Sequence, residues 1–149
     1  MHDIPGKVLW TVVCVFILLG LFGITVVEGE LLDKRDLYVD MCDFVDGVVD
    51  SRVITDAELQ AFNTQIASYG FSVDYTIERY VRAVNPDPLN EGEVVPTWIM
   101  VDDNRNYNQG DKIVLHVWSI GGTRSGNLLS GLNLFRTSKF DRTVPARVR

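Results

Sequence analysis

The sequence predicts an α+β protein: a long N-terminal helix that is transmembrane and then amphipathic, one short helix, and a small antiparallel sheet of three to four strands. Three observations carry this. Val8 to Val27 are twenty consecutive residues without a charge. From Leu31 to Asp50 apolar residues recur with a helical period, and after Gly70 the period becomes two.

The apolar run would rise about 30 Å as a helix, the thickness of a bilayer's hydrocarbon core. Its anchoring residues include Val8, Trp10, Phe16, Leu19, Phe22 and Val27. A cleaved secretory signal has an apolar region of about 7–15 residues and a small-residue cleavage site. This run is longer and no such site follows it, so a retained anchor is expected. Lys7 precedes the run, and Lys34 with Arg35 follow it. Charge counting alone slightly disfavours an N-terminus held inside, yet a long following domain is translocated largely regardless of these charges. The expected orientation is a cytoplasmic N-terminus with everything after the span extracytoplasmic. Gly20, Gly23 and Thr25 leave a small-residue face without the GxxxG spacing.

Beyond the span, Leu37, Met41, Phe44, Val45 and Val48 fall on one helical face, flanked by Tyr38, Cys42 and Val49. Asp33, Asp36, Asp40, Asp43, Asp46 and Asp50 fall on the opposite face. Pro5 is tolerated in a first turn and no proline follows it in this stretch. One continuous rod of about 46 residues and about 70 Å is therefore expected, with Gly29 and Gly47 as its weak points. The chain divides into a tail and span (1–27), an amphipathic helix (28–52) and an extracytoplasmic α+β domain (53–149).

Thr55-Asp56-Ala57-Glu58 is a capping-box pattern that starts a second helix. Leu59, Phe62, Ile66 and Tyr69 give it an apolar face, and Gly70 suits its end. Phe71, Val73, Tyr75 and Ile77 then alternate with polar residues, so Phe71 to Val84 reads as a long strand ended by Asn85-Pro86-Asp87-Pro88. Strands about Val94 to Val101 and Lys112 to Ile120 flank the polar loop Asp102 to Gly110, which reads as a hairpin with a long tip. Gly121-Gly122 to Gly126 suggests flexibility, and Leu128 to Phe135 fits a short helix or an edge segment equally well. Thr143 to Val148 fits a last strand that Pro145 confines to a sheet edge.

Composition excludes several functional classes. A net charge of −6 argues against a nucleic-acid partner, whose footprint would be a basic face. Two cysteines are too few for a disulfide framework. Cys14 and Cys42 are separated by about 42 Å on one continuous helix, which precludes a bond between them. His2 lies in the N-terminal tail and His116 inside a strand, so neither forms a local catalytic pair. Asp102, Asn104, Asn106 and Asp111 resemble the start of a calcium loop, but Tyr107 stands where the glycine is needed and Ile113 where the bidentate glutamate is needed. Gly121-Gly122 and Gly126 lack the lysine of a phosphate-binding loop. No enzyme, cofactor or metal is expected.

Charge is unevenly distributed. Glu28 to Asp50 carries eight acids and two bases, whereas Arg124 to Arg149 carries six bases and one acid. Complementarity within one chain is the simpler account. Between chains, Asp33, Asp36, Asp40 and Asp43 would meet Arg136, Lys139, Arg142, Arg147 and Arg149 and set register in an assembly.

An apolar helix running into an amphipathic one, followed by a small sheet, looks like the lollipop layout of type IV pilins and pseudopilins. More narrowly, Met41-Cys42-Asp43-Phe44-Val45-Asp46-Gly47-Val48-Val49, Val53-Ile54-Thr55-Asp56-Ala57-Glu58-Leu59 and Tyr69-Gly70-Phe71-Ser72-Val73-Asp74-Tyr75 resemble TadE-like pilus-assembly proteins. Gly110 to Val117 is similar to their Gly-Asp-hydrophobic strand, and Val144 to Val148 to their closing strand. The match at a leader site is partial: Gly6 stands where such precursors are cut, but Thr11 occupies the position where they typically carry a glutamate. The resemblance implies a non-enzymatic structural subunit of a pilus, conjugation or secretion apparatus. Its partners would be copies of itself or related pilin-like subunits, together with membrane lipid, in a homo- or hetero-oligomer or an extracellular filament. The alternatives are a single-span scaffold of a conjugation or secretion channel, and a membrane-tethered binding or sensing domain that uses the Asp102 to Gly110 loop.

Overall fold

The computed structural model describes residues 4–70, 72–87, 93–121 and 139–149. His2, Phe71, the glycines at 122 and 126, Leu128 to Phe135 and Arg136 lie outside the described residues. Two helices and four strands follow in order: α1 (Ile4–Ser51), α2 (Asp56–Ser68), β1 (Val73–Pro86), β2 (Val94–Val101), β3 (Lys112–Ser119) and β4 (Asp141–Arg147). The architecture is the expected α+β layout with four strands.

Helix α1 is unbroken over 48 residues, about 72 Å. Gly29 and Gly47 interrupt nothing, because a helix bonded on both sides of a glycine loses only about 1 kcal/mol there. Its termination falls on Arg52, whose φ of 60° is left-handed and whose amide donates to the Val48 carbonyl at 2.8 Å. Helix α2 starts as its sequence dictates. Glu58 N–H donates to Thr55 Oγ1 at 3.2 Å, and Thr55 N–H donates to Glu58 Oε2 at 2.7 Å.

The sheet order is β2-β1-β3-β4, antiparallel throughout. β1 is long enough to serve two partners with different halves of its edges. Residues 79–86 pair with β2, whereas residues 73–80 pair with β3. This corrects one expectation. β2 and β3 do not form a hairpin, since they lie on opposite sides of β1 and run parallel to each other. The hairpin joins β1 to β2, where the Asp87 amide donates to the Glu93 carbonyl at 2.9 Å. The polar stretch 102–111 is instead a crossover that passes β1 at Arg79. Strand limits also shift: β1 starts at Val73 rather than at 71, β3 ends one residue early, and β4 begins at Asp141. Pro96 and Pro145 sit on the two edge strands, which weakens further strand addition at either edge.

The core forms where α1 crosses β3 and β4. Leu37, Met41, Val45 and Val48 from α1 pack with Ile113, Leu115 and Val117 from β3 and with Val144 and Val148. Alternation along β3 is strict, with every second residue buried. Helix α2 adds Phe62, stacked on Phe44 at 4.5 Å between ring centroids and edge-on to Tyr75 at 5.4 Å.

Candidate functional site

Several surfaces that can engage something else are left uncovered by the fold. The first is the apolar part of α1. Trp10 is 69% exposed and Phe16 70%, and Val8, Leu19, Phe22 and Val27 are exposed with them. The helix is long and apolar enough to cross a membrane, and none of its apolar window is buried by the rest of the chain.

The crossover 102–111 keeps most of its polar residues exposed but turns Tyr107 and Asp111 inward. Arg79 points to the helix side of the sheet, where Nε and Nη2 donate to Asp111 Oδ2 at 2.8 and 2.7 Å. Its Nη1 reaches the Asp103 carbonyl at 3.3 Å, and its guanidinium lies 5.7 Å from the Tyr107 ring centroid. Asn104 Nδ2 donates to the Ile77 carbonyl at 3.2 Å, and Tyr107 OH to the Asn104 carbonyl at 2.9 Å. Ile54 N–H donates to the Arg105 carbonyl, and Tyr107 N–H to the Arg52 carbonyl. Of the groups that resemble calcium ligands, Asp111 therefore binds an internal guanidinium and the Asn108 amide, and Asn104 binds the backbone of β1. Among the described residues, no group of three or more His, Cys, Asp or Glu is placed to hold a metal ion. Sequence reasoning missed Arg79, although its place two residues after Ile77 on the buried face signals an internal cation needing acids.

His116 lies on the outer sheet face, with Nε2 at 2.8 Å from Asp141 Oδ1 and its ring 4.9 Å from that of Trp118. Cys14 and Cys42 are free thiols on the same helix.

Contrary to expectation, the aspartates of α1 do not share one free face: Asp40 and Asp43 border α2, whereas Asp46 lines a cavity with Arg147 and Arg149 of the basic end. On one flank Asp40 accepts a hydrogen bond from Tyr69 OH. Burial holds the Tyr69 phenol well above its ordinary value, and that bond and the charges of Asp40, Asp36 and Asp33 add to the rise. Asp36 and Asp43 stay exposed, while Asp33 is half-buried. On the other flank, Leu31, Lys34, Arg35 and Tyr38 face Lys139, Phe140, Asp141, Arg142 and Thr143 across a cleft of 780 Å³. Arg147 donates from Nε to the Gly110 carbonyl at 3.3 Å and sits 6.0 Å from the Trp98 ring centroid. The Arg149 carbonyl accepts from Arg52 Nη2. Among the described residues no ion pair joins Asp33, Asp36, Asp40 or Asp43 to Lys139, Arg142, Arg147 or Arg149.

A third surface escaped sequence reasoning. The distal half of the β1–β2 ribbon extends past the helices and carries apolar residues on both faces. Val84, Val94, Trp98 and Met100 are exposed on the outer face, and Val95 and Ile99 on the other. A two-residue period cannot announce this, because the helices stop short of residues that alternate no differently from the covered ones.

No family model, no curated protein and no solved structure matches the chain.

Proposed function

We propose that the protein is a non-enzymatic structural subunit, anchored by one membrane span, whose sheet domain assembles outside the cytoplasm with copies of itself or with related pilin-like subunits. The observation that carries this reading is α1 itself. One unbroken helix supplies both an exposed apolar run of membrane-spanning length and the central core helix of the sheet domain. A rigid join of this kind fixes the head relative to the bilayer, which suits a subunit that must hold register with its neighbours. The resemblance to TadE-like pilus-assembly proteins supports a pilus, conjugation or secretion apparatus as its setting. The exposed apolar residues of the β1–β2 ribbon favour assembly over the sensing alternative.

The test is to purify the full chain from membranes and image it by negative stain beside a version lacking residues 1–27. Elongated particles from the full chain and a folded, unassembled head from the truncated one support the proposal. Closed rings would point to a channel scaffold. Full-size assemblies from the truncated protein would refute a role for the span in assembly.

A further inference from the structure

We propose that the cleft between α1 and β4 binds the phosphate of an anionic phospholipid headgroup in the leaflet where α1 leaves the bilayer. The proposal rests on α1 being a membrane span.

Four cations line this cleft from two parts of the chain that are remote in sequence, Lys34 and Arg35 on α1, Lys139 just before β4 and Arg142 within it. Two nearby carboxylates have basic partners, though Glu30 Oε2 is buried without a hydrogen-bond partner among the described residues. Glu30 pairs with Lys34 at 2.6 Å, and Asp141 faces His116 on the outer side of the sheet. Arg35, Lys139 and Arg142 have no carboxylate partner among the described residues, and all three are exposed. The cleft thus offers guanidinium and ammonium donors of the kind that hold a phosphate.

Position selects the source of that phosphate. Counting along the helix from Val27, Leu31 stands about 6 Å and Arg35 about 12 Å beyond the end of the apolar run. The headgroup layer fills about the first 5–7 Å. Long basic side chains snorkel toward it, and helix tilt lowers them further. Leu31 and Leu32 continue the exposed apolar surface to the top of that layer, and the cleft rises from there past Arg35 to Tyr38, about 16 Å beyond the run. The foot of the cleft thus borders the headgroup layer, within reach of snorkelling Lys and Arg side chains, and an anionic surface attracts each such cation.

The experiment uses the full chain. Flotation with phosphatidylcholine vesicles first tests the span, because a chain that fails to float with neutral lipid refutes the anchor rather than the headgroup site. The detergent-purified chain is then titrated with phosphatidylglycerol and with phosphatidylcholine, and bound lipid is read by native mass spectrometry. Preferential retention of phosphatidylglycerol is expected. The double variant Lys139→Ala with Arg142→Ala should weaken it about thirtyfold, while Lys139→Arg with Arg142→Lys should keep it. Circular dichroism of each variant shows that the fold persists. Equal retention of the two lipids, or unchanged retention in the alanine variant, overturns the proposal. Displacement by inorganic phosphate would assign the cleft to a soluble anion. Zero-length cross-linking of Lys139 to an aspartate of a second copy would give it to another subunit. Either result overturns the lipid assignment.

Discussion

The guanidinium of Arg79 closes on a single carboxylate oxygen of Asp111, through Nε at 2.8 Å and Nη2 at 2.7 Å, with both residues buried. The Asn108 amide donates to the same oxygen at 2.8 Å. Arg79 lies at the middle of β1 and Asp111 at the end of the crossover, so the pair ties the 102–111 segment to the strand it passes. A buried pair stabilises little against an apolar replacement of both partners, but removing one partner leaves an uncompensated charge. Arg79→Met is therefore expected to cost about 3–5 kcal/mol. Arg79→Met combined with Asp111→Leu should recover most of that loss. Urea unfolding followed by circular dichroism measures both, and additive losses would show that the two residues act independently.

Alkaline titration reads two other buried contacts. Tyr69 is held above its ordinary value by burial and by Asp40, and Tyr107 is pushed up to about 12, chiefly by burial. A raised folded value means that the folded state holds the proton more tightly. The stabilisation is complete below the unfolded value of about 10 and fades as pH climbs through the folded one. Phenolate absorbance of the native protein should show these two tyrosines ionising late, with Tyr80, whose hydroxyl donates to Glu78, also above its ordinary value. Asp40→Asn should bring Tyr69 down while burial keeps it above its ordinary value. Five tyrosines that all ionise together near the ordinary value would contradict the described packing.

At the start of α2, Thr55→Ala should cost about 1 kcal/mol, and Thr55→Ser much less, because the serine hydroxyl still accepts from the Glu58 amide. The bonds from Thr55 hold the Glu58 carboxyl below the usual carboxylate range. A depressed folded value gives stability that is present above the unfolded value and lost as pH falls through the folded one. The gap between wild type and Thr55→Ala should therefore narrow in acid, as thermal melts across pH would show.

Charge pairing between copies is tested by sparing Asp40, whose partner is Tyr69. Asp36→Lys with Asp43→Lys should impair assembly, and Arg147→Glu with Arg149→Glu in the same chain should restore it. Exposed pairs are worth only about 0.2–1 kcal/mol each, so single alanines should be nearly silent and added salt should weaken the contact. Unchanged particle size after the aspartate reversal would make the stripe a solvated face.

The apolar ribbon gives a separate readout. Trp98→Ser with Met100→Ser changes residues that are 41% and 57% exposed, so the monomer's stability should shift by no more than about 0.5 kcal/mol for each. Assembly, measured by sedimentation in detergent, should fall if the ribbon packs on a neighbour, and full assembly would exclude that role.

The sequence by itself determined the elements whose logic is local. The uncharged run, the core face from Leu37 to Val48, the Thr55–Glu58 box and the alternation of β3 are each written within a few consecutive turns or pleats, and all of them appear. Tertiary structure decided the rest. Alternation along β1 states which face is buried but not which strand lies on either edge, so the crossover at 102–111 was invisible until β1 divided its two edges between β2 and β3. Arg79 acquired Asp111 and Arg35 its basic neighbours in the same way, because charges more than thirty and more than a hundred positions apart meet only in the folded chain. Periodicity records how a residue sits on its own element, whereas partners depend on long-range packing that no local pattern carries.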